Sequence, residues 1–147
     1  MSIPELNQYG HLPEGIYDCS IEELEERFGK FQSSDIRVKL FNSLISYVEE
    51  LKNTEIGKYL IIDGSFTTNK ERPEDIDLLL VLKDEIQLEE IVPPFKYNVR
   101  SKKYIKKHYP FDFYFGYEDD DSSIKIINLF YKVKDSTLRK GFLKIKL

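Results

Sequence analysis

The chain predicts an α+β domain in which helices pack on a β-sheet, and three observations carry that expectation. Apolar and aromatic runs of strand length recur at 59–62, 76–82, 111–115 and 142–147. Between 34 and 52, Leu40, Phe41, Leu44, Ile45, Val48 and Leu51 return at helical spacing, giving one apolar stripe suited to a sheet face. At 147 residues the chain can bury one real core, so a single domain over 1–147 is expected, with 1–19 as an N-terminal arm.

Each element has its own local cause. Residues 1–19 are rich in turn formers and read as an extended arm, with Leu12, Ile16 and Tyr17 available for packing. Ser20-Ile21-Glu22-Glu23 is a capping-box signature, and Gly29 is placed to end the short helix it begins. The striped helix starts after Ser33 or Ser34 and runs to Lys52. Tyr59-Leu60-Ile61-Ile62 then forms a buried strand, closed by a turn at Gly64-Ser65. The second strand, 76–82, follows Pro73, which suits a strand entry and not a strand centre. Lys83-Asp84-Glu85 marks its exit, and residues 85–91 are expected to form a short helix that Pro93-Pro94 stops. Phe111-Asp112-Phe113-Tyr114-Phe115 is a third strand. Glu118-Asp119-Asp120-Asp121 lacks a calcium-loop pattern and reads as a solvated acidic loop. Ser122-Ser123-Ile124 reads as the loop and cap of a helix carrying Ile127, Asn128, Phe130 and Tyr131. Gly141 allows a turn into 142–147, where Leu143, Ile145 and Leu147 alternate with Lys144 and Lys146 as on a half-exposed edge strand.

The chemistry concentrates in three acids. Asp75 and Asp77 stand where the second strand emerges from the core, and residues i and i+2 of a strand project to one face. Gly64-Ser65 precedes them by nine residues. A glycine there lets backbone approach a phosphate, and Ser65 adds a hydroxyl and an amide. Asp112 interrupts an aromatic run, where an unpaired carboxylate would be costly. Beside Asp75 and Asp77, with Mg2+ between them, it is compensated, because Mg2+ takes carboxylate and phosphate oxygens.

Gly64-Ser65, Asp75-x-Asp77 and the separate Asp112 resemble the motif of the DNA polymerase beta-like nucleotidyltransferase superfamily, in size its minimal prokaryotic members. The segments Leu12-Pro13-Glu14-Gly15-Ile16, Glu25-Glu26-Arg27-Phe28, Ile62-Asp63-Gly64-Ser65-Phe66 and Lys140-Gly141-Phe142-Leu143 are also similar to a group of small uncharacterised bacterial nucleotidyltransferase-like proteins. The resemblance implies a mixed, two-layer sheet backed by helices, the nucleotidyltransferase fold. It implies that Asp75 and Asp77 hold Mg2+ or Mn2+, that Asp112 shares the catalytic ion, and that Gly64 and Ser65 bind a nucleoside triphosphate. A nucleoside monophosphate would then pass to an RNA end, such as that of a tRNA, or to a protein hydroxyl. A toxin-antitoxin or phage-defence setting, with an antitoxin partner and homo- or hetero-oligomers, is implied in the same way. The alternative is a non-catalytic module of the same fold that binds RNA or a partner protein.

Charge adds a local contrast. The chain is acidic overall, at net charge −4, yet 95–111 carries Lys96, Arg100, Lys102, Lys103, Lys106 and Lys107 without one acid. Two readings stand open: a phosphate-facing side, with Lys102 and Lys106 on the triphosphate, or a helix with Val99, Tyr104, Ile105 and His108 near the core and its lysines in water. His11 and His108 share no ligand spacing. Arg139 and Lys140 lie beside the Gly141 turn, where they could meet a nucleotide. The single Cys19 excludes an internal disulfide. No apolar stretch approaches a membrane span and the first residues lack a secretory pattern, so a cytoplasmic protein is expected.

Overall fold

The computed structural model describes residues 3–30 and 35–147. Five strands form one mixed sheet: β1 (Ile16–Asp18), β2 (Gly57–Asp63), β3 (Ile76–Leu82), β4 (Phe111–Tyr117) and β5 (Phe142–Lys146). Their order is β1-β5-β2-β3-β4, with β2 antiparallel to β3 and β5, and with the β1/β5 and β3/β4 pairs parallel. The α+β class with a mixed sheet is therefore as expected.

Side-chain alternation sorts the strands onto two faces. Leu60, Ile62, Ile76, Leu78, Leu80 and Leu82 point into the main core, which α2 (Asp35–Thr54) covers with Leu40, Phe41, Leu44, Tyr47, Val48 and Leu51. Tyr47 sits at the centre of that core, its ring edge-on to Tyr109, Phe111 and Phe113 and its hydroxyl donating to the Val99 carbonyl at 2.6 Å. The opposite face carries Tyr59, Ile61, Leu79, Val81 and Phe142, which pack against α5 (Asp121–Phe130) through Ile126, Ile127 and Phe130. This short third layer leaves one end of the face open, and the aspartates emerge there.

Several elements follow their local signals. The capping box at Ser20 opens α1 (Ile21–Leu24), with both reciprocal bonds to Glu23 formed, and a widened turn continues it to Gly29. The expected helix starts at Ser33 or Ser34 lie outside the described residues.

Other expectations are corrected. The arm is not wholly extended coil, because Ile16–Asp18 adds β1 beside β5. The 142–147 run is consequently an interior strand and not an edge. Its lysine alternation misled because Lys144 lies with its ammonium 4.1 Å from the Tyr59 ring centroid, covering apolar surface with its stem. Residues 85–91 form turns rather than a helix. Pro94 opens α3 (Pro94–Asn98) instead of stopping a helix, since proline's missing N–H costs nothing in a first turn. The basic segment splits into α3 and α4 (Lys102–His108), the latter capped by Ser101. Asp120, not the serines after it, caps α5 by accepting from Ser123. Among the described residues no helix is long and apolar enough to cross a membrane.

Candidate active site

Strand register decides which acids meet. Asp63 on β2 is the Cα partner of Asp77 on β3, and Asp77 is the Cα partner of Asp112 on β4. Three carboxylates thus stand in one row across three strands, on the face that α5 leaves open. Asp75, immediately before β3, is exposed as a residue, and partial desolvation of its carboxyl, then the Asp112 charge, raise its pKa. The structure therefore brings Asp77 and Asp112 together and adds Asp63, while Asp75 stays within electrostatic reach of the row but does not line the cleft above it.

Gly64 joins the row to the turn. Its φ of +92° is a backbone conformation that favours glycine, and a Cβ there would lie 3.1 Å from the Asp77 carboxylate. The turn thereby presses against the central acid. Ser65–Thr67 follows as a single 3-10 turn. Its position is held from beneath by Arg37, a fully buried residue of α2. The Arg37 guanidinium donates to the carbonyls of Phe66 at 2.6 Å, Thr68 at 2.8 Å and Lys70 at 2.5 Å, and to Phe28 at 3.1 Å. A planar fork with five N–H donors suits this convergence of backbone carbonyls. Burial lowers its pKa to about 10, which still leaves it charged at neutral pH.

A cleft of about 540 Å³ opens over the row. Asp63, Gly64, Ser65, Asp77 and Asp112 line its acidic side, and Lys70, Lys132, Lys134 and Lys140 bring positive charge to it. Tyr114, Leu129, Phe130 and Val133 supply apolar wall. Lys140 is buried and ion-paired with Asp63, and it donates to the Phe130 carbonyl at 3.0 Å. His11 also lines the cleft, with Nδ1 buried and without a hydrogen-bond partner among the described residues. Burial and then the Lys140 charge lower its pKa.

The acids feel one another. Burial and then Asp63, Asp75 and Asp112 push Asp77 up to about 7, against the pull of Lys140. Burial raises Asp63 as well, and Lys140 offsets part of this. Such crowding is the electrostatic situation a divalent cation relieves. The donor set is all oxygen, which fits Mg2+ or Mn2+ and not a thiolate-seeking metal. Among the described residues no three histidine, cysteine or carboxylate side chains are gathered tightly enough to hold a metal by themselves. Mg2+ ordinarily combines one or two carboxylates with waters and substrate phosphates, so the fit is to an ion shared with a phosphate ligand.

Neither of the two lysines expected on the triphosphate lines the cleft: Lys102 stands outside it, its ammonium 4.8 Å from the ring centroid of the lining residue Tyr114. Tyr114 in turn donates to Asp112 at 3.1 Å. Lys106, one turn farther along α4, is exposed and is not among the residues lining the cleft. Asp63, Lys140, Lys70, Lys132 and Lys134 were not anticipated as one set. Asp63 adjoins the Gly64 turn at the end of an apolar strand, which is a usable signal. Lys140 was marked only by its place beside the Gly141 turn, and Lys70, Lys132 and Lys134 carry no such signal.

A family described as a family of unknown function, DUF6932, matches residues 4–146. The chain belongs to the DUF6932 family. That match spans the whole sheet of this DUF6932 protein, including the aspartate row and Lys140. No curated protein and no solved structure matches the chain.

Proposed function

We propose that this protein is a metal-dependent nucleotidyltransferase that moves a nucleoside monophosphate from a triphosphate to an acceptor hydroxyl, on an RNA end or a protein. The observation that carries this reading is the register row Asp63-Asp77-Asp112, with Gly64 seated against its central member. Asp75, Asp77 and Asp112 would hold Mg2+ or Mn2+ together with substrate phosphates. When bound, the ion supplies charge neutralisation on the phosphates and lowers the acceptor's proton affinity.

The chain's own groups do the rest. Gly64 and Ser65 receive the phosphates at the turn that Arg37 holds rigid. Lys70, Lys132 and Lys134 balance the charge of the polyphosphate as pyrophosphate leaves, while Lys140 stays paired with Asp63. The acceptor oxygen forms a bond to the α-phosphorus while the bond to the bridging oxygen of the β-phosphate breaks. Asp112, exposed at the row's outer end, takes the acceptor's proton on a carboxylate oxygen. The apolar wall of Leu129, Phe130 and Val133 suits the nucleoside. A cytoplasmic setting, where triphosphates and Mg2+ abound, goes with this chemistry.

Purified protein incubated with labelled triphosphates, Mg2+ or Mn2+, and total tRNA or lysate is expected to yield labelled acceptor. Asp77→Ala is expected to abolish it. Labelling that persists in the Asp77→Ala protein overturns the assignment.

A further inference from the structure

We infer that the α3–α4 surface is a docking site for single-stranded RNA, whose end it delivers to Asp112; this rests on the transfer reading above for the RNA's role as acceptor, though not for its binding. Three features of the surface converge. Lys102, Lys103, Lys106 and Lys107 are all exposed on α4, and among the described residues no ion pair within 4.0 Å involves any of them. Lys102/Lys106 and Lys103/Lys107 are spaced i, i+4, an arrangement that weakens an isolated helix by like-charge repulsion. No acid lies between 91 and 111, and Glu50 of α2, which reaches α4, accepts from the Tyr104 and Tyr109 hydroxyls and is not ion-paired with these lysines. A polyanion would relieve the repulsion.

The second feature is apolar. Ile91 is 99% exposed, Phe95 54% and Tyr97 52%, so three large hydrophobic side chains cluster within seven residues at the start of the basic segment. Tyr97 is stiffened by the Arg100 guanidinium, 5.2 Å from its ring centroid, and Arg100 is itself buried with a bond to the Leu88 carbonyl. Exposed aromatic faces next to unpaired lysines are how proteins hold unstacked bases and their phosphates together. A protein acceptor matched to the lysines would need acids and gives the aromatic faces no particular role. RNA is the better match than DNA because its ends are ordinarily single-stranded.

Connection to the chemistry is the third feature. Lys102, the first residue of α4, lies over Tyr114, and Tyr114 donates to Asp112. A strand held along α4 therefore has its terminal hydroxyl one side chain from the carboxylate that takes a proton.

The test uses full-length Asp77→Asn protein, so that binding is read without turnover, and a fluorescein-labelled 12-nucleotide single-stranded RNA over a KCl series. Lys103→Gln/Lys106→Gln/Lys107→Gln is expected to weaken binding at least about tenfold and to reduce the slope of log K against log salt by about 2, the share of three phosphate contacts on a single strand. Phe95→Ala/Tyr97→Ala is expected to weaken binding about tenfold with the slope unchanged, because stacking releases no counterions. Circular dichroism checks that each variant is folded. Equal RNA affinity in the parent and the lysine variant overturns the proposal. So does poly-glutamate, or duplex DNA, binding as tightly as the RNA with no loss in the Phe95→Ala/Tyr97→Ala protein. Either result leaves the labelled-triphosphate assay untouched, and failure of that assay leaves RNA binding to be read on its own.

Discussion

Replacing Lys140 by methionine isolates the buried ion pair at the cleft. Methionine keeps most of the side-chain volume, so the cavity contribution stays small. What is lost is the cation facing Asp63, whose carboxylate is 3% exposed and has Lys140 as its ion-pair partner. Removing one member of a buried pair costs about 3–5 kcal/mol, because the other charge is left desolvated. The Phe130 carbonyl also loses a donor. Urea unfolding followed by circular dichroism at pH 7.5 is expected to register that loss. Burial, offset only by the Gly64 backbone N–H, then holds the Asp63 pKa further above the unfolded value. Stability tied to a raised carboxyl is fully present below the unfolded pKa and is lost as pH rises through the folded one. The deficit of Lys140→Met should accordingly shrink as pH falls from 7.5 to 5. Asp63→Asn/Lys140→Met removes both charges and should recover a substantial part of it. A Lys140→Met protein within about 1 kcal/mol of wild type at pH 7.5 would refute the reasoning, since the usual cost of an unpaired buried charge would be missing.

Two further outcomes follow from the same site. Arg37→Met leaves the carbonyls of Phe66, Thr68 and Lys70 without their shared donor, and should destabilise the fold by about 3 kcal/mol or more while speeding tryptic cleavage after Lys70; unchanged cleavage would mean the turn is held by other contacts. In chelator-treated protein, Asp77→Asn should raise the melting temperature at pH 8 and do so progressively less toward pH 4, because the Asp77 carboxyl is pushed up to about 7, so its cost to stability grows as pH rises from the unfolded pKa and is complete above the folded one; a gain that does not vary with pH would place the effect in packing.

Local signals were legible wherever a few adjacent residues are sufficient to cause the structure. Ser20 and Glu23 satisfy each other's backbone within one turn, and the capping box formed as its spacing implies. The α2 stripe was readable too, although its periodicity omitted Tyr47, whose hydroxyl is buried on a carbonyl 52 positions away. Misreadings occurred where context overrode pattern. Lys144 and Lys146 suggested an edge strand, yet β1 takes the edge and Lys144 spends its length covering Tyr59.

The candidate site divides along the same line. By itself the sequence placed Asp77 at the start of a buried strand beside a glycine turn, because strand alternation acts within a few residues, whereas the desolvation expected of Asp112 among its aromatic neighbours is absent, since the strand turns that side chain to solvent. Only the tertiary structure decided that Asp63 joins the row, that Lys140 neutralises it, and that Arg37 holds the turn from the opposite side of the sheet. Those choices depend on strand register and on ion pairing between residues as far as 77 positions apart, which no local periodicity encodes.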